Sequence, residues 1–129
     1  MLRQPIMGLL ALAALCGCSS DLTQREAAAA ALQFVQATPV QACQLLAPDT
    51  LEELSDDAGT SCAAALAELN LPRRGNVQTV EVAGESAQVK LDDQVIFLAR
   101  FPEGWRVTAA GCRRTDADPS SSYDCEVES

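Results

Sequence analysis

The chain has 129 residues, of which 48% are hydrophobic, and this composition describes one globular domain rather than a disordered polymer. Its formal net charge is −9, and the pairs Arg73–Arg74 and Arg113–Arg114 are too sparse to form a surface for phosphates, so no nucleic-acid partner is expected. The chain has no histidine and no Cys-x-x-Cys motif, so neither a metal site nor a cofactor is expected.

Residues 1–17 have the pattern of an export signal. A positively charged start precedes the apolar run Ile6–Leu15, which is too short to cross a bilayer because a spanning helix needs about 20 residues. The run ends in Leu15-Cys16-Gly17-Cys18, which resembles the lipobox of bacterial lipoproteins. That resemblance implies diacylglycerol on the Cys18 thiol, cleavage before Cys18, and a lipid-anchored chain on the extracytoplasmic face of the cell membrane. Ordinary cleavage after Ala13, without lipid, is the alternative.

Four cysteines remain once Cys16 is removed with the signal and Cys18 carries lipid. An even number in an exported chain predicts two disulfide bonds, and four cysteines allow three pairings. We predict the pairing of near neighbours in sequence, in which each bond closes a loop worth about 3 kcal/mol. The predicted pairs are Cys43–Cys62 and Cys112–Cys125.

Helix signals begin shortly after the predicted anchor. Thr23-Gln24-Arg25-Glu26 has the form of a capping box, which predicts a helix from Thr23 to about Thr38 and leaves residues 18–22 as a short tether. Residues 23–127 are predicted to form a single domain. The expected apolar stripe of the first helix, with Phe34 to one side of it, consists of Ala28, Ala31, Leu32 and Val35.

Three short helices and then four strands are predicted beyond this helix. The hydrophobic period changes from about 3.6 to 2 after Gly75, which marks the change from helices to strands. The apolar third strand is expected to be central and covered on both faces. The result is an α+β domain with N-terminal helices packed on a four-stranded antiparallel meander sheet. The predicted helices are Gln41–Leu46, Pro48 to about Asp57, and Cys62–Leu69; the predicted strands are Thr79–Val82, Ser86–Leu91, Val95–Ala99 and Trp105–Ala110.

This order of elements resembles a known family of folds. Helices before a meander, with Gly104-Trp105-Arg106-Val107 in a late strand and Gly111-Cys112 leading to Tyr123-Asp124-Cys125, are similar to small secreted bacterial lipoproteins of the nuclear-transport-factor-2-like, or cystatin-like, cone fold. The resemblance covers Leu22 to Val127. It implies a cone-like sheet curled around a long helix, often with a pocket between them.

Individual side chains give only weak indications of chemistry. Related cone-fold enzymes use an Asp base or an Asp-His pair, whereas this chain has no histidine and carries its sheet carboxylates at solvent-facing or turn positions. Residues 116–124 alternate oxygen side chains as a calcium loop does, but lack the required glycine and the bidentate glutamate. The acidic stretch 49–57 is typical of a solvated face. Phe101 and Trp105 could line a pocket, although core packing is the favoured interpretation.

Two classes of function stay open at this point. The first is a cell-envelope binding or accessory module for a membrane-proximal envelope protein or a small ligand. The second is a cone-fold enzyme of the isomerase or dehydratase type. We favour the module, and the sequence identifies neither a ligand-binding residue nor a catalytic residue. A pocket holding a carboxyl group with a strongly raised pKa would favour the enzyme.

Overall fold

The computed structural model describes residues 18–118, 120 and 122–129, together with the side chains from Ser20 onward in that set. The predicted signal peptide, residues 1–17, lies outside the described residues, as does the Cys18 side chain. Four helices precede an antiparallel sheet, which confirms the α+β class. The helices are α1 (Cys18–Gln36), α2 (Pro39–Gln44), α3 (Pro48–Ala58) and α4 (Cys62–Leu69). The strands are β1 (Val77–Ala83), β2 (Ser86–Leu91), β3 (Val95–Phe101), β4 (Gly104–Arg114), β5 (Tyr123–Asp124) and β6 (Val127–Glu128).

Helix α1 begins five residues before the predicted start. It is helical from Cys18, so Thr23 lies inside the helix and the prediction of a start at Thr23 is wrong. Asp21 lies in the first turn, where the partial positive charge of the helix terminus favours a carboxylate. The capping pattern was misleading because Ser20 and Asp21 also suit the first turn of a helix. The segment predicted as a tether is therefore a part of α1.

The buried face of α1 differs from the predicted stripe. Phe34 is only 4% exposed and belongs to the core, whereas Ala28 and Leu32 are half-buried. The prediction that Phe34 lies to one side is wrong, because the long helix turns the face through Ala27 and Ala31 toward the sheet. This face packs on all four long strands. Its buried residues are Ala27, Ala31, Phe34 and Val35.

Local caps fix the three shorter helices. Thr38, predicted to end the first helix, is the N-cap of α2: its Oγ1 accepts from the Gln41 backbone N–H at 3.3 Å, and the Gln41 side chain accepts from the Thr38 N–H at 3.3 Å. Pro48 opens α3, and Gly59 ends it in a left-handed conformation. Ser61 caps α4 through the Ala64 N–H. Pro39 in the first turn of α2 explains why a new helix starts there.

The sheet contains the predicted meander and two additional strands. Strands β1 to β4 are neighbours in chain order, joined by a two-residue loop between Ala83 and Ser86 and another between Phe101 and Gly104. The prediction of four strands is wrong by two, since β5 and β6 both pair with β4. These strands have two residues each, so neither shows a periodic pattern in the sequence.

Strand β3 is central, as predicted, but it is covered unequally on its two faces. Ile96 and Leu98 point into the core and are almost fully buried. On the opposite face Phe97 and Ala99 are half-buried, and the Tyr123 ring packs edge-on against Phe97 with the ring centroids 5.2 Å apart. The expectation of full cover on both faces is therefore met on the helix side, and on the opposite face at Val95 only.

Both predicted disulfide bonds are present. The Cys43–Cys62 bond joins α2 to α4, and the Cys112–Cys125 bond joins β4 to the C-terminal segment between β5 and β6. Each bond includes one buried cysteine, since Cys62 and Cys112 lie in the core.

Candidate binding cleft

An open cleft of about 290 Å³ lies at the end of α1 that is remote from Cys18. We call it the distal cleft. Its walls are the last turn of α1, helices α2 and α4, and the segment 70–73 that follows α4. Its lining is mainly apolar, contains no acidic side chain, and has Asn70 and Arg73 as its polar members. The principal apolar residues of the lining are Phe34, Val35, Ala42, Leu66 and Leu71.

The Cys43–Cys62 disulfide joins the two helices that form opposite sides of the distal cleft. Pro39 and Ala42 of α2 line one side, and Leu66 and Ala67 of α4 line the other. Helix α2 has only six residues, which is too short to be stable by itself. The covalent bond to α4 therefore sets the separation of the walls.

A buried amide holds the segment 70–73 in place. Gln94 is 4% exposed, and its Nε2 donates to the Pro72 carbonyl at 2.9 Å. Its Oε1 accepts from the Gly111 N–H at 2.9 Å, and its backbone carbonyl accepts from the Leu91 N–H at 2.8 Å. One side chain thus connects β4 and the β2–β3 turn to the wall of the distal cleft.

Asp92 fastens the start of β1 beside the same segment. Its carboxylate accepts from the Asn76 backbone N–H at 3.0 Å, from the Asn76 side-chain amide at 3.3 Å, and from the Gln78 amide. These hydrogen bonds, the one from the Asn76 backbone foremost, lower the pKa of Asp92 from its ordinary value of 3.8. The carboxylate is therefore the form that the fold prefers.

The lowered pKa of Asp92 gives stability a specific dependence on pH. The contribution is complete above the pKa of the unfolded chain, near 3.8, and is lost as the pH falls through the lower folded value. We expect Asp92→Asn to be less stable than wild type at pH 6, with the difference shrinking below about pH 3.8. Urea unfolding at several pH values measures this, and Asp93→Asn is the control for loss of one charge in the same turn. Identical pH profiles for the two variants would contradict the assignment.

Arg73 lies at the mouth of the distal cleft. Its side chain is exposed, and its Nη2 donates to the Ala37 carbonyl at 3.1 Å, just beyond the end of α1. Among the described residues Arg73 makes no ion pair. The last turn of α1 has no basic residue of its own, so the guanidinium also stabilises the negative end of that helix.

The aromatic residues considered for a pocket do not line the distal cleft. Trp105 is buried in the core, with the Arg100 guanidinium 5.0 Å from its ring centroid. Its Nε1 has no hydrogen-bond partner within the described part of the chain. Phe101 lies half-buried at the end of β3. Core packing was the favoured interpretation for both residues, and it is confirmed for Trp105.

The candidate calcium loop is a series of local turns. Asp116 accepts from the Asp118 N–H at 2.8 Å, and Asp118 accepts from the Ser120 N–H at 2.9 Å and from its hydroxyl at 2.8 Å. Hydrogen bonds from Ser120 lower the pKa of Asp118. No group of three or more potential metal ligands occurs within residues 18–118, 120 and 122–129. The acidic side chains of α3 are exposed, as expected of a solvated face.

The opposite end of the molecule carries the predicted lipidation site. Cys18 is the first residue of α1. The first turns of this helix lie beside the β1–β2 hairpin, and Glu26 Oε2 is 3.7 Å from Arg100 Nη2 of β3. Leu22, one turn after Cys18, is 56% exposed. With 1.5 Å per residue, α1 separates the Cys18 backbone from the distal cleft by about 27 Å. No helix in the described part of the chain is long and apolar enough to cross a bilayer.

No sequence pattern directly marks the distal cleft or the two residues that organise it, Arg73 and Gln94. Arg73 was considered only for nucleic-acid binding, and Gln94 stands in a polar turn with no pattern to distinguish it. The only signal was indirect, because the predicted Cys43–Cys62 bond implied two helices held side by side. No protein-family model matches the chain, and searches of curated proteins and of solved structures found no match. Any ligand of the distal cleft must therefore be inferred from its own residues.

Proposed function

We propose that this chain is a cell-envelope lipoprotein, held on the extracytoplasmic face of the cell membrane by lipid on Cys18. Its domain acts there as a binding or accessory module for a membrane-proximal partner or a small ligand. The observation that carries the proposal is the placement of Cys18 and the distal cleft at opposite ends of one helix. An anchor at one end leaves the cleft at the other end open to solvent.

The covalent framework supports an extracytoplasmic location. Disulfide bonds persist in oxidising compartments such as the bacterial periplasm and the cell surface, and are rare in the cytosol. Each bond of this domain joins cysteines that are near each other in sequence, 19 residues apart in one bond and 13 in the other. We also propose that the sheet curves around α1 as in the nuclear-transport-factor-2-like cone.

The absence of a flexible spacer supports a membrane-proximal role. Helix α1 starts at the anchoring residue, so the domain follows its lipid without a disordered tether. Exposed Leu22 is four residues after Cys18 and lies on the same side of the helix, where it can enter the interface of the bilayer. Partners within reach are then other membrane proteins and lipoproteins.

A binding role fits the carboxyl groups better than catalysis does. A general acid near neutral pH needs a raised pKa, whereas hydrogen bonds lower the pKa of Asp92 and of Asp118. The lining of the distal cleft has no carboxyl group. These observations favour the module over a cone-fold isomerase or dehydratase.

Membrane fractionation of a bacterial host tests the anchor. We expect Cys18→Ser to move the chain from the detergent-soluble membrane fraction to the soluble extracytoplasmic fraction, or to leave it as an unprocessed precursor. Cys16→Ser is the matched control, since it changes a cysteine of the same motif, and it should stay membrane-bound in the processed form. A Cys18→Ser chain that is processed and membrane-bound as wild type is would contradict the proposal.

A further inference from the structure

We propose that the distal cleft binds a small apolar molecule bearing a carboxylate, such as a short fatty acid, with Arg73 pairing with the carboxylate. This inference rests on the small-ligand form of the proposed function and names the class of ligand. It follows from the volume and lining of the distal cleft, from the position of Arg73 at its mouth, and from the distance between the cleft and Cys18.

The size and lining of the distal cleft suit a short hydrocarbon chain. The distal cleft is open to solvent, and its volume of about 290 Å³ exceeds the roughly 150 Å³ of an enclosed apolar cavity that holds benzene. Phe34, Leu66 and Leu71 provide apolar surface from three different elements. Contact with them removes apolar surface of the ligand from water.

Arg73 supplies the polar complement at the mouth. A guanidinium has five N–H donors, and one of them is used on Ala37. Arg73 has no ion pair among the described residues. Its remaining donors form the planar fork that binds a carboxylate through two hydrogen bonds. An apolar wall beside an unpaired cation is the arrangement that a fatty acid requires.

The position of Cys18 keeps the lipid of the chain itself away from the distal cleft. Burial of its methylene groups holds an acyl chain attached there in the hydrocarbon core of the bilayer. The distal cleft is about 27 Å along α1 from the point of attachment. The ligand therefore reaches the cleft from solution.

Calorimetric titration of the full chain carrying Cys18→Ser tests the inference, because this variant keeps every residue of the cleft and cannot be lipidated. We expect octanoate to bind at one saturable site and to bind at least about tenfold more tightly than octanol, since a charge-assisted hydrogen bond is worth about 1.5–3 kcal/mol. Octyltrimethylammonium is expected not to bind. Chemical-shift changes of the backbone amides should centre on Leu66 and Leu71.

Two pairs of variants separate the proposed roles from effects on folding. Arg73→Gln is expected to weaken octanoate binding at least about tenfold while leaving octanol binding unchanged, and Arg74→Gln is the control for loss of a neighbouring charge. Ala67→Phe fills the cleft from an exposed position on α4 and should abolish binding of both compounds. Ala64→Phe, exposed on the same helix but outside the cleft, should bind as wild type does.

Three results would overturn the inference: no saturable binding of octanoate, equal affinity for octanoate and octanol, or equal effects of Ala67→Phe and Ala64→Phe. None of these results depends on the anchor, because the titrated chain lacks it. Failure of the ligand assignment is therefore distinguishable from failure of the lipoprotein proposal, which fractionation tests separately.

Discussion

Replacing Gly111 with alanine is expected to lower the free energy of unfolding by about 2–5 kcal/mol. Gly111 has a φ of +65°, a left-handed conformation that disfavours any side chain. A Cβ at this position would lie 2.7 Å from Leu71 Cδ2 and 3.0 Å from Glu126 Cβ. Neither a rotation of Leu71 nor a small shift of β4 relieves both contacts, because the Glu126 Cβ moves only with its backbone.

Gly59→Ala is the matched control for Gly111→Ala. Gly59 has nearly the same φ, +61°, but a Cβ there meets nothing within 4 Å. We expect Gly59→Ala to lower the free energy of unfolding only by the cost of a left-handed alanine, about 1–2 kcal/mol. Urea unfolding of the two variants gives the packing contribution as their difference. Equal losses would show that the close approach of Leu71 and Glu126 to β4 contributes nothing.

Removal of the Cys43–Cys62 bond is the second large effect. The free energy of unfolding of the double variant Cys43→Ala/Cys62→Ala is expected to be lower by about 3 kcal/mol, because the bond closes a loop of 19 residues in the unfolded chain. For a domain of this size that corresponds to a melting temperature lower by roughly 10–20 °C. Alanine is the appropriate replacement, since Cys62 is buried and a serine hydroxyl would lack a partner there.

Hydrogen exchange locates the effect of this double variant. Protection should fall mainly in α2 and α4, whose separation the bond fixes. The amides of Ile96 and Leu98 in the core of β3 should keep their rank among the amides of the domain. Octanoate affinity should fall as well, because both helices line the distal cleft. A loss under about 1 kcal/mol, or uniform loss of protection, would contradict the role given to the bond.

Elements with a strong local signal were predictable from the sequence. Ser61 and Pro48 fixed the starts of α4 and α3, and the alternation from Val80 onward predicted β1 to β4 in the correct order. The disulfide pairing was predictable because cysteines that are near each other in sequence close short loops, which cost the least entropy. Each of these features depends on residues close together in sequence.

Features that depend on distant contacts were not predictable. Strands β5 and β6 exist because β4 provides a partner edge, since two-residue strands have no intrinsic stability. At the distal cleft, Arg73 donates a hydrogen bond to Ala37, which lies 36 positions earlier in the chain. The Gln94 side chain makes hydrogen bonds to both Pro72 and Gly111. No local pattern marks a residue whose role is to connect two remote segments.

Intact mass spectrometry of the protein purified from host membranes tests the lipoprotein proposal most directly. We predict a processed chain that begins at Cys18, with a mass increase that matches diacylglycerol on the thiol and fragment ions that assign it to that residue. Without reductant, the mass should be lower than that of the reduced chain by four hydrogen atoms, as two disulfide bonds require. An unlipidated chain that begins at Ala14 would contradict the account.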